Sequence, residues 1–331
     1  MAANYACLPA WRAACAAALG CDIRTEELRS PAGEPLGRFH YAVLRSRLFG
    51  TRLISLPFSD ESAVEPAAPG REAETGRALL ARLDALAGAA GAAAAELRGR
   101  CPELDALGPE LARSEPYVRF RLDLSGGYAA AAARYHSNVA KNLAQGARRL
   151  EVRVLKKPAP PDLRRLYLVY LAQMGAFGSP PLPMSYFSAM AAAGLYVFFE
   201  ALLDGRTAGM LAAIPDGRAL RADVNASLPG FGAAFPKVRL FDESVRWAGA
   251  EGFSSYDLMR TRRGTGVHAH KARWGGAEEP ITYYYRAYRA AARREPDAAG
   301  AAYRLASLGL RLLPLPLLEK VGPLIRAGAG K

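Results

Sequence analysis

Between Asp257 and Glu278 the sequence holds no acidic residue, and into that stretch it packs Arg260, Arg262, Arg263, Lys271 and Arg273. His268, His270 and Trp274 stand among the cations, and Gly264 and Gly266 loosen the backbone. Fixed cations bind anions and stabilise developing negative charge; imidazoles move protons near neutral pH. Such a segment suits an anionic or acyl-bearing substrate, and the alternative is a basic surface loop with one packed tryptophan. Arg260, at the end of an expected strand, would hold a phosphate or carboxylate with a two-pronged guanidinium. Its competing role is an ion pair with Asp257 or Asp223. His268 and His270 are the candidate bases; at i and i+2 they suit one face of a strand. A metal would need a third ligand, and the sequence offers none at a recognisable spacing.

Further candidates surround this stretch. Asp223 and Asn225 alternate on the strand before a long helix, facing a cleft or solvent. Tyr283, Tyr284 and Tyr285 lie on one strand, so at most two face any pocket; Tyr284 is counted with Arg263 and Trp274 among the substrate contacts. The segment Ser227-Leu-Pro-Gly230-Phe-Gly232-Ala-Ala-Phe-Pro-Lys237 opens onto that helix, so Gly230, Gly232 and Lys237 are candidates for holding donor phosphates.

The chain has 331 residues, of which 51% are hydrophobic, enough for about two domains with a large core. Its net charge is +13, with Arg far ahead of Lys, which favours anionic partners such as nucleotide-linked precursors, nucleic acid or an anionic membrane surface. A GC-rich coding sequence would also enrich Arg, Ala and Gly. Four cysteines, Cys7, Cys15, Cys21 and Cys101, form no metal or redox spacing and read as reduced thiols of a cytoplasmic protein. No window reads as a signal peptide or a membrane-spanning helix.

Residues 151 onward read as β-α-α-β-β-β-α-β, then the basic loop, then a strand at Ile281 to Tyr285. Asp204-Gly205 and Asp216-Gly217 mark two tight turns between strands. The first half gives a less regular version of the same order. In it, residues 71–98 read as one Ala-rich helix and residues 127–150 as one long basic helix. From Ala301 the chain is apolar with scattered Arg; Leu305, Leu308, Leu312 and Leu313 with Arg304 and Arg311 read as an amphipathic helix. That helix would dock on the protein itself or touch a membrane.

This element order, with Ser137-Asn138 through Lys141-Asn142, Ser55-Leu-Pro-Phe58, Met174-Gly175, and above all Met259-Arg-Thr-Arg-Arg-Gly264 leading to His270-Lys271-Ala-Arg-Trp274-Gly275, resembles the FemABX-like aminoacyltransferases of the GNAT superfamily. It is most similar to members associated with exosortase and exopolysaccharide clusters, whose tails carry a Leu-Pro-Leu-Pro stretch like that in Leu313 to Leu317. The resemblance implies an α/β chain of two tandem GNAT-like domains, each a mixed, mostly antiparallel sheet flanked by helices. The expected divisions are 1–150, 151–290 with the site, and an amphipathic tail at 291–331. It implies transfer of an aminoacyl or acyl group, without a covalent intermediate, to an amine of a peptidoglycan- or exopolysaccharide-linked precursor. It also makes Lys271 the site lysine, an ammonium facing the oxyanion.

The donor would be aminoacyl-tRNA or acyl-CoA, with no tightly bound cofactor, no metal and no DNA partner. The Gly-containing loop before the helix lacks the leading Gln or Arg of CoA-binding loops, which lowers the case for CoA. His270 stands where the family usually has Phe, and Lys141 where Arg is common. Two other readings stay open: an acyl-CoA-dependent N-acyltransferase for an amino sugar or small amine, and a non-catalytic polysaccharide assembly factor at the inner face of the membrane.

Overall fold

A computed structural model of the chain describes residues 4–46, 50–147, 149–289 and 301–330. Residues 290–300, at the head of the expected tail, lie outside the described residues. Contacts divide the chain into two compact units: Met1–Pro116 with Ile281–Tyr303 and Leu324–Lys331, and Tyr117–Pro280 with Arg304–Pro323.

The first unit contains α1 (Pro9–Leu19), β1 (Arg24–Arg29), β2 (Pro35–Ser46), β3 (Gly50–Ser55), β4 (Val64–Pro66), α2 (Glu72–Ala90), β5 (Ala94–Arg98) and α3 (Pro102–Asp105). Strands β1, β2 and β3 pair antiparallel in succession, and β5 pairs parallel with β3 after the α2 crossover. The expected single helix over 71–98 is corrected here. Gly91, at φ +63°, caps α2, and Ala94–Arg98 is recruited as a strand. Alanine's helix preference is a few tenths of a kcal/mol per residue and yields to the pairing offered by β3.

The second unit begins within β6 (Ala112–Asp123), at Tyr117. It continues through α4 (Gly127–Ala132), α5 (Ser137–Ala147), β7 (Leu150–Leu155), α6 (Pro160–Phe177), α7 (Met184–Ala192), β8 (Val197–Leu203), β9 (Arg206–Asp216) and β10 (Ala219–Ser227). Then come α8 (Pro236–Ala250), β11 (Ser255–Asp257), β12 (Thr261–Arg262), α9 (Gly266–Ala272), β13 (Ala277–Ala287), α10 (Ala301–Leu312) and α11 (Leu315–Ala329), of which β13 from Ile281, the start of α10 and the end of α11 from Leu324 belong to the first unit. From β7 to β11 the order is the expected β-α-α-β-β-β-α-β. The Asp204-Gly205 turn has positive φ at both residues, as the tight hairpin between β8 and β9 requires. The helix expected over 127–150 is interrupted instead: the His136 N–H donates to the Arg273 carbonyl at 2.9 Å, between α4 and α5.

The two units repeat one plan. In each, an antiparallel meander of three strands is followed by a helix and a strand parallel to the meander's last member, β3/β5 in one and β10/β11 in the other. In each, the next strand pairs antiparallel, and it comes from the far part of the sequence. Residues of β13 close on β5 in the first unit, and residues of β6 close on β11 in the second. Within each unit the strands pair mostly antiparallel and carry helices. The second unit's core joins Phe120, Leu122, Phe199, Leu240, Val245, Tyr256 and Trp274, all buried.

Candidate active site

In the second unit β10 and β11 pair over three residues only, ending at Arg221 opposite Asp257. Strand β10 runs on to Ser227 against β9 alone, with a register shift between Ala222 and Val224. The two parallel strands therefore part beyond Arg221 and Asp257, which opens a cleft. An ion-pair cluster locks its apex. The fully buried Asp257 carboxylate accepts from Arg221 Nη1 at 2.8 Å and Arg119 Nη1 at 3.1 Å, and Arg221 Nε also donates to Asp216 at 2.7 Å. A buried carboxylate survives only with such partners.

Past the apex the chain turns sharply. Met259 has φ +56°, unusual for a side chain of its size, and its N–H donates to Asp257 Oδ1 at 2.7 Å. Lys271, buried on α9, donates from Nζ to the carbonyls of Met259 at 2.9 Å and Arg260 at 3.0 Å. Two of its three donors thus fasten backbone. The structure ties the Lys271 ammonium to the backbone of this turn.

The other sequence candidates fall into separate places. Arg260 stacks its guanidinium 4.9 Å from the Tyr117 ring centre. Arg263 is exposed and pairs with Glu278 at 3.1 Å. His268 and His270 lie on the helix α9, not on a strand, so their i and i+2 spacing sends them to different sides. His268 reaches Glu278 at 3.0 Å and packs near Phe120, whereas His270 faces Phe241 and Trp274. Burial resists ionisation of Glu278, and His268 and Arg263 outweigh it, holding the carboxyl below its usual range. Trp274 is fully buried against Tyr135 and Phe241, a core residue in this structure. Tyr284 belongs to the first unit, where its hydroxyl donates to Asp105 at 2.7 Å. Asp223 accepts from the Tyr196 hydroxyl.

Three candidates do come together. Asn225, on the part of β10 beyond its pairing with β11, donates from Nδ2 to the Lys237 carbonyl at 3.0 Å. That acceptor fixes the amide's orientation and leaves Asn225 Oδ1 buried without a hydrogen bond. Lys237, in the first turn of α8, is half-buried; burial pulls its ammonium below the ordinary lysine value. Its Nζ lies 5.8 Å from the Phe177 ring centre. His270 is held neutral by burial first, then by the charges of Lys237, Arg273 and Lys271. Its Nε2 accepts from Trp274 Nε1 at 3.4 Å, a long contact that leaves the proton on Nδ1. An unsatisfied acceptor, an ammonium and a neutral imidazole therefore flank one cleft. Beside them Gly230, at φ +89°, and Gly232 lead into α8, and neither has a neighbour where a Cβ would stand, which leaves room for a ligand to approach the backbone.

Sequence reasoning missed Gln173, Tyr196 and the Asp257 cluster. Gln173 bridges the end of β10, donating to the Asn225 carbonyl at 3.2 Å and accepting from the Ser227 N–H at 3.1 Å. A glutamine on the apolar face of α6, in step with Leu166 and Tyr170, is the signal that pointed to it.

As for metals, Cys7, His40 and Glu65 in the first unit form the one group of three potential ligands that come together among the described residues. His40 Nε2 and Glu65 Oε2 are 2.6 Å apart, a hydrogen bond, and His40 Nδ1 meets Thr25 Oγ1 at 3.0 Å. Two ligands of one tetrahedral ion with bonds near 2 Å would stand roughly 3.3 Å apart, so this geometry is that of a hydrogen-bonded chain. Open cavities of 760 and 1050 Å³ also lie in the first unit, lined by Arg77 and Arg82 in one and Arg38 and Glu65 in the other. Neither includes a residue of the cleft.

The family model of the acetyltransferase (GNAT) domain matches residues 131–272, the segment that contains the cleft. No curated protein matches the chain. Among solved structures, FemX is similar at 14% identity and TM-score 0.63, over 84% of this chain and 90% of that one. The L-PGS structure from Bacillus licheniformis is similar at 11% identity and TM-score 0.55, over 94% and 98%. The C-terminal domain of a putative lysylphosphatidylglycerol synthetase from Agrobacterium fabrum is similar at 15% identity and TM-score 0.55, over 86% and 88%. The cleft therefore lies in an acetyltransferase (GNAT) domain, and the chain shares the fold of FemX over most of its length.

Proposed function

We propose that the second unit transfers an aminoacyl or acyl group to an amine of a cell-envelope precursor, in the cleft between β10 and β11. The observation that carries this reading is the meeting of Asn225, Lys237 and His270 where the parallel strands part. Direct transfer needs a deprotonated amine, a donor to the oxyanion and a proton for the leaving group. His270, neutral at working pH, takes the amine proton on Nε2, giving up the long contact from Trp274 Nε1, and passes a proton to the leaving group. Lys237 offers an ammonium to the developing oxyanion in a partly desolvated site. The spare Asn225 Oδ1 receives an N–H of the bound acyl donor or acceptor and orients it. Lys271 acts at one remove, by holding Met259 and Arg260 in place.

The acceptor class is supported by the fold shared with FemX and with a putative lysylphosphatidylglycerol synthetase. Peripheral contact of the tail with the inner face of the membrane would bring a lipid-linked precursor to the site. The donor is aminoacyl-tRNA in this reading. The open glycines before α8 favour acyl-CoA as a second reading, since phosphates sit well at a helix N-terminus.

The test offers labelled aminoacyl-tRNA and acyl-CoA separately, with amine-bearing lipid-linked and nucleotide-linked precursors, and follows label transfer to the acceptor. Transfer from one donor, reduced about 10²-fold or more in Lys237→Met at saturating donor, is expected. Wild-type turnover in both Lys237→Met and His270→Phe would remove the cleft from the chemistry.

A further inference from the structure

The last helices leave an apolar face uncovered. On α10, Leu305, Leu308 and Leu312 are 69%, 53% and 83% exposed, at spacings of three and four that put them on one side. Leu315 and Leu317 extend the exposed surface into α11, and Val321 follows Leu317 by four residues. The same helices are firmly seated by their other side. Leu318 is fully buried, Leu315 and Leu318 lie 3.2 and 3.3 Å from where a Cβ on Gly175 would stand, and Ser307 Oγ donates to the Phe177 carbonyl at 3.2 Å. The exposed leucines are therefore a surface of a docked element.

Among the described residues, the charges exposed on this face have one sign. Arg311 and Lys320 are exposed beside the leucines, and the one acid between residues 304 and 323, Glu319, is committed to Arg164 on α6. Leucines rimmed by unpaired cations match the boundary of an anionic bilayer, with acyl chains beneath acidic headgroups. A second copy of the chain would set this cationic rim against its own kind. The face also leads to the cleft: Phe177, 49% exposed and bonded to α10 through Ser307, carries Lys237 against its ring.

We infer that the face of α10 and the first turns of α11, continued by Phe177, docks on an anionic lipid bilayer, so that the cleft mouth lies at headgroup level and takes a lipid-linked acceptor. The docking stands independently of the proposed transfer; only the acceptor assignment rests on it. Among the described residues no helix is long and apolar enough to cross a membrane, so the contact is peripheral.

The test is co-sedimentation of the full chain with vesicles of phosphatidylcholine alone or with phosphatidylglycerol, alongside circular dichroism melts. Wild type should bind the anionic vesicles, and added salt should weaken the binding. Leu308→Glu/Leu312→Glu should reduce binding about tenfold or more with an unchanged melt. Arg311→Glu/Lys320→Glu should reduce it about fivefold or more on anionic vesicles. Absent binding by wild type, or equal binding by the leucine variant, overturns the inference. So does a concentration-dependent dimer that the leucine variant disperses, since that assigns the face to a second copy. Vesicle binding with no transfer to any acceptor would retain the docking and reject the catalytic reading. Faster transfer to a nucleotide-linked than to a vesicle-borne acceptor would overturn the acceptor assignment alone.

Discussion

The ammonium of Lys271 lies 2.9 Å from the carbonyl oxygen of Met259, a residue held at φ +56°. A buried cation thus stabilises a strained turn that directly follows the Asp257 cluster. This relationship separates two roles that the sequence merges. An oxyanion donor must present a hydrogen to the substrate, whereas a clamp spends its hydrogens on backbone.

Lys271→Met is expected to lower the melting temperature, because it strips a partner from the half-buried carbonyls of Met259 and Arg260. The cost is about 1–3 kcal/mol for each buried group left unsatisfied. Amide exchange should rise locally around residues 258–262. Lys271→Arg should recover part of the stability, since a guanidinium still donates to carbonyls. A variant that melts like wild type yet loses turnover about 10²-fold would return Lys271 to the oxyanion.

Asp257→Ala should destabilise the second unit by about 3–5 kcal/mol, because the cations of Arg119 and Arg221 lose the buried carboxylate they share. Chemical denaturation measures it. Asp257→Asn should be costly as well, since the amide's N–H₂ opposes the guanidinium donors. A loss below about 1 kcal/mol would mean that water takes over the carboxylate's place.

His270 should titrate below the ordinary histidine value of 6.5, which histidine proton NMR can follow. The sign for stability follows from burial and three cations favouring the neutral ring. The unfolded chain binds the proton more readily, so His270's contribution is complete above the unfolded pKa and is lost as pH falls through the folded one. Lys237→Met removes one of the cations and should move the titration upward. An upward-shifted His270 in wild type would contradict the packing described for it.

Separate expression of residues 1–150 and 151–331 should give two poorly folded fragments, because each unit takes a strand from the other half of the sequence. The first lacks the β13 residues that pair with β5, and the second lacks the β6 residues that pair with β11. Co-expression should restore soluble protein if the fragments find each other. Two fragments that each melt cooperatively would show that these strands are dispensable.

Local signals in the sequence carried far. The period-two strands, the Asp204-Gly205 turn and the proline at the head of α6 act between near neighbours, so the order from β7 to β11 was legible. The resemblance added the GNAT plan, and Asn225, Lys237 and His270 were already among the chemically notable residues.

Tertiary structure decided which of those residues meet. Residues 94–98 became a strand because β3 offered a partner that no local preference reveals. The basic run became a helix, which sent His268 to Glu278 and His270 to the cleft side. Gln173 stands 52 residues before Asn225 in the sequence, yet it holds that residue's carbonyl. The reach of a hydrogen bond is about 3 Å, and only the folded chain brings such distant groups within it. Lys271 shows the same limit: residue type and position announced a cation, and its two carbonyl partners determined what the cation does.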